Sequence, residues 1–174
     1  MVWLHSTYNT GVAGWHAVVD DTSVYECIPF HENAWHAGDG SQGAGNRSSA
    51  SLEICESGDF EQTMINAAKY SAKWLDDRGL DEFSLRQHFH WSGKNCPRLI
   101  RAGHQGWTWD IFVDNVRKEL IKLAEQKDWR VIMGKEAIAS LKEKGIDVDS
   151  DHWEPRLLGS MPAWAFFAFL DRIK

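Results

Sequence analysis

The spacing of apolar residues changes period several times along the chain. Ala17-Val18-Val19 is a short apolar run, Asp20-Asp21-Thr22-Ser23 supplies turn residues, and Val24-Tyr25-Glu26-Cys27-Ile28 reads as a partner strand ended by Pro29. Residues 37–48 are rich in Gly, Ser and Asn and read as a loop. Ser51-Leu52-Glu53-Ile54-Cys55 alternates, with Leu52 and Ile54 on one face, as in a half-buried strand. The period then becomes helical. Asp59 and Gln62 have the spacing of a capping box, Met64, Ala68, Ala72 and Leu75 share one face, and Gly79 marks the stop. A second helix is expected from Asp110 to Gln126, with Phe112, Val116, Leu120 and Leu123 inward. Between the helices, residues 81–100 hold the densest polar chemistry. Strands, helix, polar segment and helix in that order predict an α/β domain, a mixed central β-sheet flanked by helices.

From about Trp129 the pattern changes. Glu136 to Lys144 reads as a short helix with Ala137, Leu141 and Ile138 inward, ended by Gly145. Asp149 or Ser150 suits a cap for one further turn. Pro162 suits the start of a last helix with Trp164, Phe167 and Leu170 on one face. The expected division is therefore a main domain at 1–128 and a small helical segment at 129–174.

Composition refines this reading. A chain of 174 residues accommodates one full domain and a small appendage. Its net charge of -6 argues against nucleic acid as partner. Ten tryptophans serve either a core or a cleft for carbohydrate and peptide. Three cysteines, Cys27, Cys55 and Cys96, are too few and too odd for a disulfide framework and suit buried or metal-bound thiols. No apolar run reaches membrane-spanning length, and MVWLHSTYNT lacks the basic-then-apolar pattern of a signal peptide.

The candidate chemistry centres on Gln87-His88-Phe89-His90-Trp91-Ser92-Gly93-Lys94-Asn95-Cys96-Pro97. His88 and Cys96 are zinc-competent donors joined by a Gly-containing turn; by spacing alone this is a weak metal signal, and a surface histidine with a buried cysteine is the better reading. Lys94, two residues before the thiol, is placed to stabilise an oxyanion or to stay solvated. Glu53 suits a general base beside a metal-activated water, or an exposed strand glutamate. Asn33-Ala34-Trp35-His36-Ala37-Gly38-Asp39-Gly40 reads as a cleft wall or as a tryptophan packed on the sheet. His16 reads as a hydrogen-bonded structural histidine.

Taken together, WHAVVDDTSVYECIPFHENAWHAGDG, GNRSSASLEIC and QHFHWSGKNCP resemble the type-2 N-acetylmuramoyl-L-alanine amidases, including phage endolysins and Gram-positive autolysins, whose fold is shared by peptidoglycan-recognition proteins. The resemblance spans about residues 5–125. It implies a zinc hydrolase that cleaves the amide between N-acetylmuramic acid and L-alanine in bacterial peptidoglycan. By the same resemblance His88 and Cys96 are metal ligands, Glu53 activates water, Lys94 holds the oxyanion, and His36, Trp35 and Trp15 line the substrate cleft. Trp15 stands where some relatives carry a tyrosine, and an indole lacks the phenolic hydroxyl. Such an enzyme, made in the cytoplasm without a visible signal peptide, reaches the wall after release. The alternative is a peptidoglycan-binding module of the same fold that does not cut.

One departure concerns the N-terminus. The family opens with a strand ending in the first zinc histidine, followed by a helix. Here either residues 4–9 are the tail of that helix and the strand is missing, or Val2–Thr7 is the metal strand, with His5 its ligand, and the helix is deleted. The His-x-x-Tyr-Asn spacing favours the first, which implies that His5 is not a ligand, that zinc is weakly held and that an open sheet edge promotes self-association. The C-terminal GKEAIASLKEKGIDVDSDHWEPRLL resembles a helical segment that follows catalytic domains in lysins.

Overall fold

The structure, a computed structural model, describes residues 13–159 and 163–172. The expectations about His5 and a first strand therefore fall outside the described residues. The chain divides into two compact units, Met1–Leu120 and Ile121–Lys174.

The first unit contains a three-stranded mixed sheet of order β2-β1-β3, with β1 at Ala17–Val19, β2 at Val24–Glu26 and β3 at Leu52–Ile54. β1 pairs antiparallel with β2 and parallel with β3, with Val18 opposite both Tyr25 and Glu53. The central strand is buried along its whole length, which explains its unbroken apolar run. The hairpin turn is tied by Asp20, whose carboxylate accepts from the backbone of Thr22 and Ser23. Those bonds hold its pKa below the ordinary aspartate value. β2 is shorter than its apolar pattern suggests; beyond Glu26, Cys27 still donates to the His16 carbonyl at 2.7 Å before Pro29 turns the chain away.

Helix α2 runs from Phe60 to Asp76 and buries Met64, Ala68, Ala72 and Leu75. Full burial of side chains such as Met64 and Leu75 contributes about 1.5–3 kcal/mol each. The expected capping box is half formed. Asp59 accepts from Gln62 N–H at 3.0 Å, but the Gln62 amide turns forward to Asn66 while Asp59 N–H donates to Asp21. The helix ends near Gly79, where Leu80 N–H donates back to the Leu75 carbonyl. Helix α5, Trp109–Lys127, buries Phe112 and Val116, whereas Leu120 and Leu123 are only half-buried.

Two stretches read as irregular contain short helices. Ala44–Ser48 forms α1, and the segment at 81–100 contains α3 at His88–Ser92 and α4 at Arg98–Arg101. In α1 the cap is supplied from a distance: the Asp39 carboxylate accepts from the N–H groups of Gly45 and Asn46. A cap six residues away leaves no local signature.

The second unit has α6 at Trp129–Glu143, α7 at Ser150–Trp153 and α8 at Ala163–Arg172. Ala137, Ile138 and Leu141 of α6 pack in one cluster with Val148, Leu157, Ala163 and Phe167. Trp164 and Leu170 pack partly buried against it. α6 begins seven residues before the expected Glu136 because Asp128 caps Arg130 N–H and binds the Arg130 side chain, which draws the Asp128 carboxyl down to about 2. The low helix propensity of Gly134 hides this extension in the sequence. Asp149 caps α7 through His152 N–H; Pro162 lies outside the described residues. Among the described residues, no helix is long and apolar enough to cross a membrane.

Candidate active site

A groove of about 620 Å³ opens along β3 in the first unit. Its walls come from residues 48–56, one face of α2 and the segment 84–98. The sequence-singled residues His36, Glu53, His88, Lys94 and Cys96 all line it; Trp15 and Trp35 do not. Trp35 is exposed, and the Trp15 indole nitrogen is buried without a hydrogen-bond partner among the described residues. The tryptophans that do line the groove are Trp74, Trp91 and Trp109, which the sequence reading did not single out for it.

His16 anchors the start of β3. Its ring is 2% exposed, Nδ1 accepts from Ser51 N–H at 3.0 Å, and Nε2 donates to the Glu32 carbonyl at 3.1 Å. A carbonyl at Nε2 and an N–H at Nδ1 define the neutral Nε2–H tautomer. Burial holds its pKa below the ordinary histidine value, partly offset by the Glu32 bond.

His36 is positioned by Asn46. The Asn46 side chain, 3% exposed, accepts from the backbone N–H of both His36 and Ala37 at 2.8 Å and donates to the Gly40 carbonyl at 3.1 Å. Gly45 lets α1 close onto this loop, since a Cβ there would come within 2.4 Å of the Ala37 side chain. The His36 Nε2–H points at the Ser49 carbonyl at 3.4 Å, leaving Nδ1 without the proton in the neutral ring. Burial lowers its pKa, and the neighbouring His16 and His88 add to that shift.

His88, Lys94 and Cys96 share one compact segment. Gly93 ends α3 in the left-handed conformation at φ 73°, turning the chain so that Phe89 N–H donates to the Cys96 carbonyl at 3.1 Å. Cys96 is half-buried. Burial raises its thiol pKa first and the Glu53 carboxylate next, while Lys94 opposes both. Glu53 sits exposed at the centre of β3, and Lys94 is exposed on the segment 84–98. The groove thus combines a carboxylate, an ammonium group, two imidazoles and a thiol.

A catalytic zinc is ordinarily held by three protein donors with one open position. His88 and Cys96 match zinc in kind, but among the described residues no three His, Cys, Asp or Glu side chains converge to hold an ion. The described groove supplies donors that fit in type and fall short in number.

Asn46 and Asp39 organise this site without having been singled out in the sequence. The available signal was weak: a buried asparagine in a Gly- and Ser-rich stretch leaves no period.

The family model for N-acetylmuramoyl-L-alanine amidases matches residues 2–99, more than half of the chain. The chain belongs to this family. The Bacillus subtilis (strain 168) amidase CwlH is 45% identical over 104 residues, covering 59% of this chain and 40% of the relative. The amidase XlyA of the same organism is 36% identical over 130 residues, covering 64% and 42%. The chain thus spans about two fifths of these curated relatives. Among solved structures, the catalytic domain of XlyA aligns with a TM-score of 0.55 at 39% identity, covering 60% of this chain and 65% of that one. The PlyG catalytic domain aligns with a TM-score of 0.59 at 32% identity, covering 68% and 71%. Their agreement with the mixed sheet and flanking helices bears out the fold read from the sequence.

Proposed function

We propose that this chain is a zinc-dependent N-acetylmuramoyl-L-alanine amidase acting on bacterial peptidoglycan, with residues 1–128 as the amidase domain and 129–174 as a separate helical segment. The observation that carries the reading is the meeting of Glu53, Lys94, His36, His88 and Cys96 in one groove of a chain from the amidase family. His88 and Cys96 would hold the metal, and two donors retain it less tightly than the three of an ordinary catalytic zinc site. Bound zinc supplies Lewis acidity that lowers the pKa of water and polarises the scissile carbonyl.

The chain's own groups do the rest. Glu53, open to the groove, takes the proton of the attacking water and passes it to the leaving alanine nitrogen. Lys94 places its ammonium where negative charge develops on the lactyl oxygen. His36, held neutral by burial, presents a polar edge to the substrate without adding charge. Trp74, Trp91 and Trp109 give the groove apolar faces for sugar and peptide. The test is release of new N-terminal alanine from purified cell walls. Walls that remain intact at full zinc loading overturn the proposal.

A second reading, a peptidoglycan-binding module that does not cut, is favoured by the lack of a three-donor cluster among the described residues. It predicts wall sedimentation of the protein without alanine release.

A further inference from the structure

The geometry points to Arg101 as a positioning residue for the groove, one that sets where His88 stands relative to Lys94 and Cys96. Arg101 is the last residue of α4, outside the groove lining. Its Nε donates to Asn95 Oδ1 at 2.9 Å and its Nη1 donates to Gln87 Oε1 at 2.8 Å. The guanidinium carbon lies 3.8 Å from the centre of the Phe89 ring. Gln87 immediately precedes His88, Phe89 immediately follows it, and Asn95 lies between Lys94 and Cys96. One side chain therefore grips both ends of the segment that carries all three groups.

The grip complements a thin backbone frame. Among the described residues the segment is closed by Phe89 N–H to the Cys96 carbonyl at 3.1 Å, and Cys96 N–H turns back to the Lys94 carbonyl at 2.7 Å. These bonds fix Cys96 against Phe89 but do not fix the Asn95 side against Gln87. A planar guanidinium does so because its nitrogens diverge in a fixed fork while its face stacks on an aromatic ring. A lysine ammonium has the charge but cannot donate along two fixed directions and stack at once. The effect of Arg101 on chemistry is thus geometric, and loss of a group that orients site residues typically costs about 10–100-fold.

This inference rests on the proposed site, so its first readout is independent of turnover. In the full chain carrying Cys27→Ser and Cys55→Ser, treated with chelator, the alkylation rate of Cys96 by iodoacetamide reports the local geometry. Arg101→Met and Arg101→Lys are both expected to shift that rate by about tenfold with little change in the thermal midpoint. In wall digestion both are expected to lower kcat by a similar factor with KM within about twofold of the parent. The double variant Gln87→Ala with Asn95→Ala removes the two acceptors, leaves Arg101 in place and is expected to reproduce both effects; it decides the matter if Arg101→Met does not fold. An Arg101→Met protein alkylated at the parental rate overturns the inference. So does full rescue by Arg101→Lys, which would make the role one of charge. Should the parent release no alanine, the proposed activity fails while the alkylation result still decides the role of Arg101.

Discussion

The two units of this chain use aromatic residues in opposite ways. In the first, Trp74, Trp91 and Trp109 face a groove together with the polar groups of the candidate site. In the second, Trp129 meets Trp164 edge-on at 5.3 Å and Trp153 meets Phe167 at 5.2 Å, so the rings join helices around a small core. The first unit leaves apolar surface open and sets its rims with polar contacts such as Asn46 to His36 and His16 to Ser51. The second closes its apolar cluster between helices, with Ala137 and Leu141 of α6 packed in one core with Phe167 of α8. The lesson concerns where a substitution is felt: chemistry should be sensitive in the first unit, cooperativity of packing in the second.

The largest expected effect is on chemistry. Glu53→Gln removes the proposed base from an exposed strand position and should lower wall turnover by about 10²–10⁴-fold while leaving the thermal midpoint unchanged. An unaltered turnover number would make Glu53 an ordinary strand residue. Next comes Leu141→Ala, which opens a cavity in the second unit where Leu141 is 2% exposed. It should cost about 2–5 kcal/mol. Hydrogen exchange should then show lost protection in α6 and α8 with α2 still protected; loss in both would show that the two units fold as one.

Asn46→Ala leaves the N–H groups of His36 and Ala37 without their acceptor. Each buried unsatisfied group costs about 1–3 kcal/mol, so urea unfolding should shift to a lower midpoint and turnover should fall with it. A variant as stable as the parent would mean that the loop is held by its glycines alone. The pH dependence is smaller. The folded pKa of His16 lies below the ordinary histidine value of about 6.5, so below about that pH the unfolded chain binds more protons than the folded one. Stability of the first unit is therefore complete above the unfolded pKa and declines as pH falls through 6.5 toward the folded value, by at most about 1.4 kcal/mol per pH unit for one proton. His36 shifts in the same direction and adds to the slope. Constant stability from neutral pH into that window contradicts the neutral, buried tautomer.

The smallest effect is expected at the N-terminus. With two donors in the described groove, purified protein should carry less than stoichiometric zinc, and His5→Ala should leave that content unchanged. Stoichiometric zinc that is lost on His5→Ala would identify His5 as the third ligand. An elution volume that shifts with protein concentration would support the expected self-association.

Much of this protein is determined by sequence acting over short distances. The apolar run of β1, the helical period of Met64, Ala68, Ala72 and Leu75, and the inward face of Ala137, Ile138 and Leu141 each follow from local periodicity. So does the segment that presents His88, Lys94 and Cys96, because Gly93 turns it within a few residues. Tertiary structure alone decided the features that depend on partners remote in sequence. Asp39 caps α1 across a loop, Asn66 donates to the Asp20 carbonyl 46 residues away, and His16 finds Ser51 across 35. The same holds for the choice of tryptophans: a rich supply was evident, but which rings reach the groove depends on how α2, α5 and the 84–98 segment come together. Local periodicity encodes which face is buried, because burial acts on each residue through its immediate neighbours along the element. It does not encode which distant backbone N–H a carboxylate or an amide will meet, and in this chain those meetings build the walls of the site.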